Sequence, residues 1–232
     1  MNNKLKPRFF VVIHALRDGL QHIISETETV LNAGADGIFI IPDYAKGEYR
    51  KATTDNIFDY TKQVKEEFPQ LLIGANFLTR ECGILSRIYE ARLDLLQSDQ
   101  SAIENLDKNL MINTEIFCAV AFKYSKNVNL TGQLLKVHCN EVSVACDVPT
   151  TSGNATGQSA DIDKIKEIRS YLPENKRLGI ASGVNELSIN NYLVAGVTDF
   201  LVATSLISKV DNYFDILDYE KVKRLNFLIK NF

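Results

Sequence analysis

The sequence predicts an α/β protein, a closed (β/α)8 barrel of eight parallel strands formed by residues 1–232 as one domain. Apolar, strand-like runs begin near residues 9, 37, 71, 93, 115, 141, 178 and 199, and a helical pattern follows most of them. Eight units share the chain at about 29 residues each, the length of one strand, one helix and two short loops. Because the sequence suggests no second domain, a closed barrel is favoured over an open sheet.

The first four units have clear boundaries. Residues 9–14 form a continuous apolar run, typical of a strand buried on both faces, and the helical pattern over 24–32 ends at Gly34. The second strand, 37–41, stops at Pro42, and its helix, 54–68, stops at Pro69. The third unit pairs a strand at 71–76 with a helix at 81–91, and the fourth pairs a short strand at 93–97 with a helix around 102–110.

The last four units carry the longer loops. EIFCAVAF at 115–122 is the predicted fifth strand, with a helix at 130–138, and 141–146 is the predicted sixth strand. A helix at 162–172 follows, because Ile162, Ile165 and Ile168 recur at helical spacing. A strand at 178–181, a helix at 187–195, a strand at 199–202 and a helix at 219–230 complete the chain.

Composition is that of an ordinary globular protein, with 45% apolar and 24% charged residues and a net charge of −3. Because Lys and Arg are scattered among Asp and Glu, no nucleic acid partner is expected. No apolar stretch approaches the roughly 18 residues that span a membrane, and the N-terminus lacks a signal-peptide pattern.

The four cysteines, Cys82, Cys118, Cys139 and Cys146, lack CxxC spacing, which predicts free thiols in a reducing, cytoplasmic compartment. The sequence is compatible with a monomer or a homo-oligomer.

Polar residues follow most predicted strands. In a parallel barrel the carboxyl ends of the strands share one face, and functional residues lie there. Asn76, Arg80 and Gln97 follow or end the third and fourth strands, so we expect them to contact a substrate.

Two neighbouring strand ends suit a phosphate group. A phosphate needs several converging N–H donors without bulky side chains, as a glycine turn before a helix provides. Ser182, Gly183 and Val184 follow the seventh strand, and Thr204 and Ser205 follow the eighth, where barrels often bind phosphate. The alternative is a plain turn glycine and a helix cap.

The loop TTSGNATGQSAD at 150–161 is rich in glycine and hydroxyl groups. We expect Thr151, Ser152, Gly153, Thr156 and Gly157 to wrap a ligand edge, against the alternative of an ordered connection. It is not a P-loop, because no Gly-Lys-Ser/Thr follows. Asp161 starts the next helix, where a capping role is equally compatible.

Three residues are candidate catalytic groups. Lys123 ends an apolar strand, so it either points into the barrel mouth, where burial would lower its pKa for base or Schiff-base chemistry, or extends to solvent beside Lys126. Asp147, after the predicted sixth strand, is the candidate acid or base, or a partner of loop amides. His14 is a general base, a ligand-orienting donor or a satisfied core histidine.

No metal site or cofactor is predicted, because the three histidines show no HxH or HExxH spacing.

Several segments together carry a family resemblance. They are IH at 13–14, NAGADGIFI at 32–40, IGANFLTRE at 73–81, TTSGNATG at 150–157, IASGVNELSINNYL at 180–193 and FLVATSLIS at 200–208. From about Val11 to Ser208 the chain resembles the BtpA family, which implies a TIM barrel related to phosphate-binding barrels. Founding members of that family are linked to photosystem I biogenesis, and nothing in this sequence points to photosynthesis.

The chain departs from the family pattern at three places. ALRDG follows the first strand in place of a proline-rich turn, and Pro42-Asp43 follows the second in place of a Glu-Asn pair. Lys123 is present, but Ala119 and Ala121 replace its usual polar neighbours. These departures weaken the inference of family chemistry and leave the phosphate end intact.

The sequence therefore predicts a cytoplasmic enzyme that acts on a small phosphorylated metabolite, a sugar or nucleotide phosphate. The alternative is a non-catalytic binding or assembly-factor barrel that keeps the anion site, which Ala119 and Ala121 favour. A phosphoribosyl-handling enzyme is a third hypothesis, although no TTGGT-like loop follows an acidic pair.

Overall fold

The predicted eight-stranded barrel is confirmed in a computed structural model, which describes residues 5–43, 50–78, 84–100, 103, 106–155, 157–211 and 213–232. The strands are β1 (Arg8–Ala15), β2 (Gly37–Pro42), β3 (Leu72–Ala75), β4 (Leu95–Ser98), β5 (Glu115–Ala119), β6 (Val148–Ser152), β7 (Gly179–Ala181) and β8 (Asp199–Val202). Each strand pairs in parallel with the next, and β8 pairs with β1 in the register Phe9↔Phe200.

In the described part of the chain, seven α-helices cover the outside of the barrel. They are α1 (Leu20–Asn32), α2 (Thr54–Glu67), α3 (Ile84–Ala91), α4 (Gly132–Ala145), α5 (Ile162–Tyr171), α6 (Ile189–Val194) and α7 (Tyr219–Lys230). Their buried side chains recur at helical spacing, as Leu135, Cys139 and Val142 do in α4, and pack on the outward faces of the strands. Asp161 caps α5 by accepting a hydrogen bond from the backbone N–H of Asp163 at 2.9 Å, which is the capping role that the sequence left as one of two alternatives.

Inside the barrel, three aromatic rings form the centre of the core. Phe10, Phe39 and Phe117 pack edge to face, with ring centroids 5.2 to 5.9 Å apart. Each such pair stabilises a core by about 0.5–1.5 kcal/mol beyond the burial of its area. The rings fill the middle of the barrel and separate its two ends.

An ion-pair cluster closes the amino-terminal end of the barrel. Arg8 donates to Asp199 at 2.6 Å and to both carboxylate oxygens of Glu115 at 2.6 and 2.9 Å. Arg177 lies 3.2 Å from the other oxygen of Asp199, whose side chain is fully buried. Burial raises the pKa of Asp199, and the two arginine charges lower it. These partners satisfy a carboxylate that would otherwise be costly to bury.

The prediction of the sixth strand is wrong. Residues 141–145 form the last turns of α4, Cys146 is its C-cap residue, and β6 begins only at Val148. Val142 is fully buried in the helical row of α4, whereas Val144 is 82% exposed, which a strand in a barrel would not allow. The apolar run VSVAC therefore reflects a helix with one buried face.

Two further elements differ from the sequence prediction. The described part of the predicted helix around 102–110 contains a 3-10 helix at Lys108–Leu110. After β8, a 3-10 helix (Thr204–Leu206) leads into an antiparallel hairpin, β9 (Ile207–Asp211) and β10 (Phe214–Leu217), which the sequence analysis missed. This hairpin packs on α1 and β1. Within the described ranges, no helix is long and apolar enough to cross a membrane.

Three cysteines agree with the prediction of buried thiols outside disulfides. Among the described residues, Cys118, Cys139 and Cys146 form no disulfide and are fully buried, and burial raises the pKa of Cys139 to about 12. Cys82 lies outside the described residues.

Candidate functional site at the barrel mouth

The carboxyl ends of β1 to β8 form one rim, which we call the barrel mouth. Since the strands are parallel, the residues that end or follow them meet at this rim. The predicted site residues that lie there are His14, Asn76, Gln97, Lys123, Ser152, Gly153, Ser182, Gly183, Val184, Thr204 and Ser205. Arg80 and Thr156 lie outside the described residues.

Lys123 extends along the mouth from β5 to β7. Its amine donates to Ser182 Oγ at 2.7 Å, and its backbone N–H donates to Ser152 Oγ at 2.8 Å. Burial lowers the pKa of Lys123, while electrostatic interactions with Asp99 and Tyr124 raise it. Of the two orientations left open by the sequence, the structure has the one directed into the mouth.

A second lysine, missed in the sequence analysis, supports the same rim. Lys164, on α5, donates to the backbone carbonyl of Ser152 at 3.2 Å and also to the carbonyl of Ala121. Burial lowers the pKa of Lys164, and the charge of Asp161 raises it. In the sequence Lys164 falls between the apolar positions of an amphipathic helix, where lysine normally faces solvent, so no local signal marked it.

Asn76 and Asp99 connect the ends of β3 and β4. The Asn76 side-chain amide donates to Asp99 Oδ1 at 2.9 Å, and Asn76 Oδ1 accepts from the backbone N–H of Leu78 at 3.0 Å. Asp99 is solvent-exposed as a residue, yet the surrounding protein removes enough hydration to raise its pKa, while Asn76 and the charge of Lys123 lower it. The carboxyl of Asp99, which is accessible to solvent and holds its proton more readily than usual, is therefore suited to proton transfer. Gln97 is buried near the end of β4.

His14 pairs with the hairpin that follows β8. Its Nδ1 lies 3.2 Å from Asp215 Oδ2, and both side chains are partly buried. A carboxylate on one ring nitrogen fixes the orientation of the imidazole and leaves the other nitrogen for a ligand. Asp215 was missed because the hairpin itself was not predicted.

The predicted phosphate segments lie side by side at the ends of β7 and β8. Ser205 Oγ donates to the carbonyl of Val184 at 2.7 Å, which ties the two segments together. Thr204 is exposed at the start of the 3-10 helix, whose first N–H groups have no acceptor within the helix. The hydroxyl of Ser205 is therefore structural, and backbone N–H groups and Thr204 remain as donors to a ligand.

Gly183 is required by packing as well as by conformation. Its φ is 66°, and a Cβ at this position would lie 2.2 Å from the carbonyl oxygen of Gln158. A Cβ at Gly153 would lie 2.1 Å from the same oxygen, so the backbone of Gln158 packs closely against the turns that follow β6 and β7. This side of Gly183 contacts protein, which limits any phosphate approach to its other side.

The predicted ligand loop is divided between buried and exposed residues. Ser152 faces the barrel interior with its register partner Ala181. Thr151 is fully buried and, by strand alternation, points to the opposite side, so it lies outside the mouth. Gly157 is exposed, with φ 77° and open space around it.

Asp147 lies at the wrong end of the barrel for the predicted catalytic role. It precedes β6, and its Oδ2 accepts from the backbone N–H of Ile116 at the start of β5, at 2.9 Å. The error follows directly from the misplaced sixth strand. The alternative role, a partner of loop amides, is not observed either, because the bound amide belongs to β5.

Strained backbone accumulates at the mouth. Among the described residues, six non-glycine residues have positive φ, and four follow mouth ends of strands: Leu78, Ala121, Tyr124 and Ser182. Each such conformation costs about 1–3 kcal/mol and persists only where surrounding contacts enforce it. Lys164 is one such contact, since it binds the carbonyl of Ala121.

No group of three or more His, Cys, Asp or Glu side chains that could hold a metal ion occurs in the described part of the chain.

Comparisons with known proteins identify the fold. No protein-family model matches the chain, and no curated protein matches it by sequence. Phosphoribosyl anthranilate isomerase from Thermus thermophilus is similar in structure, with a TM-score of 0.67 at 13% identity over 94% of this chain and 96% of that one.

Two further solved structures resemble this chain to a similar degree. Thiamine phosphate pyrophosphorylase from Pyrococcus furiosus gives a TM-score of 0.65 at 13% identity, covering 99% of this chain and 98% of that one. Orotidine 5′-phosphate decarboxylase from Pyrococcus horikoshii OT3 gives 0.64 at 13% identity, covering 96% and 97%. At this identity the likeness shows the TIM-barrel fold.

Proposed function

We propose that the chain is a cytoplasmic, single-domain barrel enzyme that acts on a small phosphorylated metabolite, a sugar or nucleotide phosphate. The phosphate would lie at the ends of β7 and β8, beside Thr204 and the backbone of Ser182 to Val184. The reacting part of the substrate would face Lys123 and Asp99. The resemblance to the BtpA family belongs to this proposal.

The observation that carries the proposal is the pair of partly buried amines, Lys123 and Lys164, at one side of the mouth. Burial removes part of the hydration of each ammonium group and thereby lowers the pKa of both lysines. A bound anion would compensate that loss, because opposite charge stabilises the ionised form. The first N–H groups of the 3-10 helix after β8, which have no acceptor within that helix, add donors from the neighbouring strand end.

The names of the similar structures agree with this substrate class. Phosphoribosyl anthranilate, thiamine phosphate and orotidine 5′-phosphate all contain a phosphate group. These names describe the other proteins, and they support the proposal only through the shared fold.

A non-catalytic binding or assembly-factor barrel is the second candidate. Ala119 and Ala121 are buried at the end of β5, where the family resemblance leads us to expect polar side chains. Such a barrel would bind the anion and convert nothing.

The phosphate position is tested by a charge substitution at Thr204. Thr204→Glu places a carboxylate where the anion would lie. Thr204→Gln is the control, because glutamine has nearly the shape of glutamate but carries no charge. We expect calorimetric titration with inorganic phosphate and with ribose 5-phosphate to show binding to wild type and Thr204→Gln, and none to Thr204→Glu. Equal binding to all three proteins would refute the position.

A further inference from the structure

The amine of Lys123 has the surroundings of a nucleophile. It is held by Ser182 Oγ at 2.7 Å, and it lies 5.8 and 6.0 Å from the ring centroids of Phe122 and Tyr124. Partial burial lowers the pKa of this amine, so it is neutral at lower pH than an exposed lysine, and a neutral amine can add to a carbonyl carbon.

Hydrogen bonds hold the backbone on both sides of this amine in place. The backbone N–H of Lys123 is bound by Ser152, and the preceding turn at Ala121 is held by Lys164. Ala121 and Tyr124 adopt positive φ on either side of the lysine, whose side chain reaches Ser182 along the mouth. A rigid support of this kind is what a reacting group requires.

We propose that Lys123 forms a Schiff base with a phosphorylated aldehyde or ketone, an inference that rests on the proposed function and names its substrate class. The neutral amine adds to the carbonyl carbon, a C–N bond forms as the C=O π bond breaks, and a proton moves from nitrogen to oxygen to give a carbinolamine. A proton donor then releases the hydroxyl group as water, which leaves a protonated imine.

Asp99 is the proton donor in this scheme. Its carboxyl is accessible to solvent, is oriented by Asn76 at 2.9 Å and interacts electrostatically with Lys123. The raised pKa of Asp99 keeps more of it protonated near neutral pH than an ordinary aspartic acid, as an acid that expels water needs. Ser182 positions the amine and does not react.

Reductive trapping with two matched probes tests the inference. Wild-type protein is treated with one equivalent of glycolaldehyde phosphate and cyanoborohydride, and adducts are located by peptide mass mapping. We expect one dominant adduct on Lys123, lost in Lys123→Arg and Lys123→Met and retained in Lys126→Arg, an exposed control. Urea unfolding of each variant establishes that it is folded.

The probe without phosphate separates this inference from the proposed function. If glycolaldehyde modifies Lys123 as fast as glycolaldehyde phosphate does, the Schiff base is supported and the phosphate site fails. If calorimetry shows phosphate binding while adducts are spread over surface lysines and are unchanged in Lys123→Arg, the proposed function stands and the Schiff base is overturned.

Discussion

Replacing Arg8 by Met should destabilise the barrel strongly, because it leaves a buried carboxylate without its nearest partner. Asp199 is fully buried, and Arg8 is its closest cation at 2.6 Å. Arg8 also bridges to Glu115, so the side chain joins β1, β5 and β8 across the end of the barrel. Met is similar in length and fills the same space without donors.

The expected loss is about 3 kcal/mol in the free energy of unfolding, at the low end of the roughly 3–5 kcal/mol for breaking a buried pair. The low end applies because Asp199 keeps the hydroxyl of Thr198 at 2.5 Å and Arg177 at 3.2 Å. Glu115 is 28% exposed and can regain water, so its lost partner adds little.

The loss should depend on pH with a defined sign. The pKa of Asp199 is already raised by burial, and removing the charge of Arg8 raises it further. A carboxyl whose folded pKa exceeds its unfolded value of about 3.9 stabilises the fold most below that value, and this contribution is lost as pH rises through the folded pKa. The deficit of Arg8→Met relative to wild type should therefore widen from about pH 4 towards neutral pH.

Urea titrations of wild type, Arg8→Met and Arg177→Met from acidic to neutral pH measure this deficit directly, with equal m-values as the check on two-state unfolding. Arg177→Met should lose less than Arg8→Met, because its contacts to Asp199 are longer, at 3.2 and 3.4 Å. A deficit below about 1 kcal/mol at neutral pH, or one that widens as pH falls, would refute the reasoning.

Three further predictions concern the mouth and the core. Lys164→Met should lower the free energy of unfolding by about 1–3 kcal/mol in urea, because two carbonyls lose a charged donor, whereas exposed Lys166→Met should not; equal effects would contradict this. Asp99→Asn removes a charge that raises the pKa of Lys123, so the midpoint of the pH profile for its trapping should move down, and an upward move would count against the pairing. Cys139 should react slowly with a thiol reagent in the folded protein and rapidly in urea, and fast native labelling would disprove its burial.

Most of the fold was predictable because apolar runs and glycine or proline stops define the units. β6 was not, since VPTTS contains a proline and three hydroxyl side chains, a composition typical of a loop. The preceding VSVAC has the length and apolar content of a short buried strand, and such runs are ambiguous between strand and helix. The row of Leu135, Cys139 and Val142 was the signal that favoured a helix.

The site was predictable only where a residue ends a strand. Lys123 was found this way, and Asp147 was misassigned because its strand boundary was wrong. Lys164 and Asp215 reach the mouth from α5 and from the hairpin, through contacts of 12 to 201 residues in sequence separation that local patterns do not encode. Gly183 could be recognised as a turn glycine, but its close contact with Gln158 is a tertiary property.

The most direct test of the central claim is a turnover screen of wild type, Lys123→Met and Lys126→Met against phosphorylated aldehydes, ketones, sugars and nucleotides. We expect wild type and Lys126→Met to convert at least one compound, and Lys123→Met to lose about 10²–10⁴-fold in rate while still binding phosphate, with lower affinity because one of the two amines is lost. Conversion by Lys123→Met at the wild-type rate would show that the catalytic assignment is wrong. Binding of phosphate by wild type without conversion of any compound would contradict the enzyme proposal and favour the assembly-factor barrel.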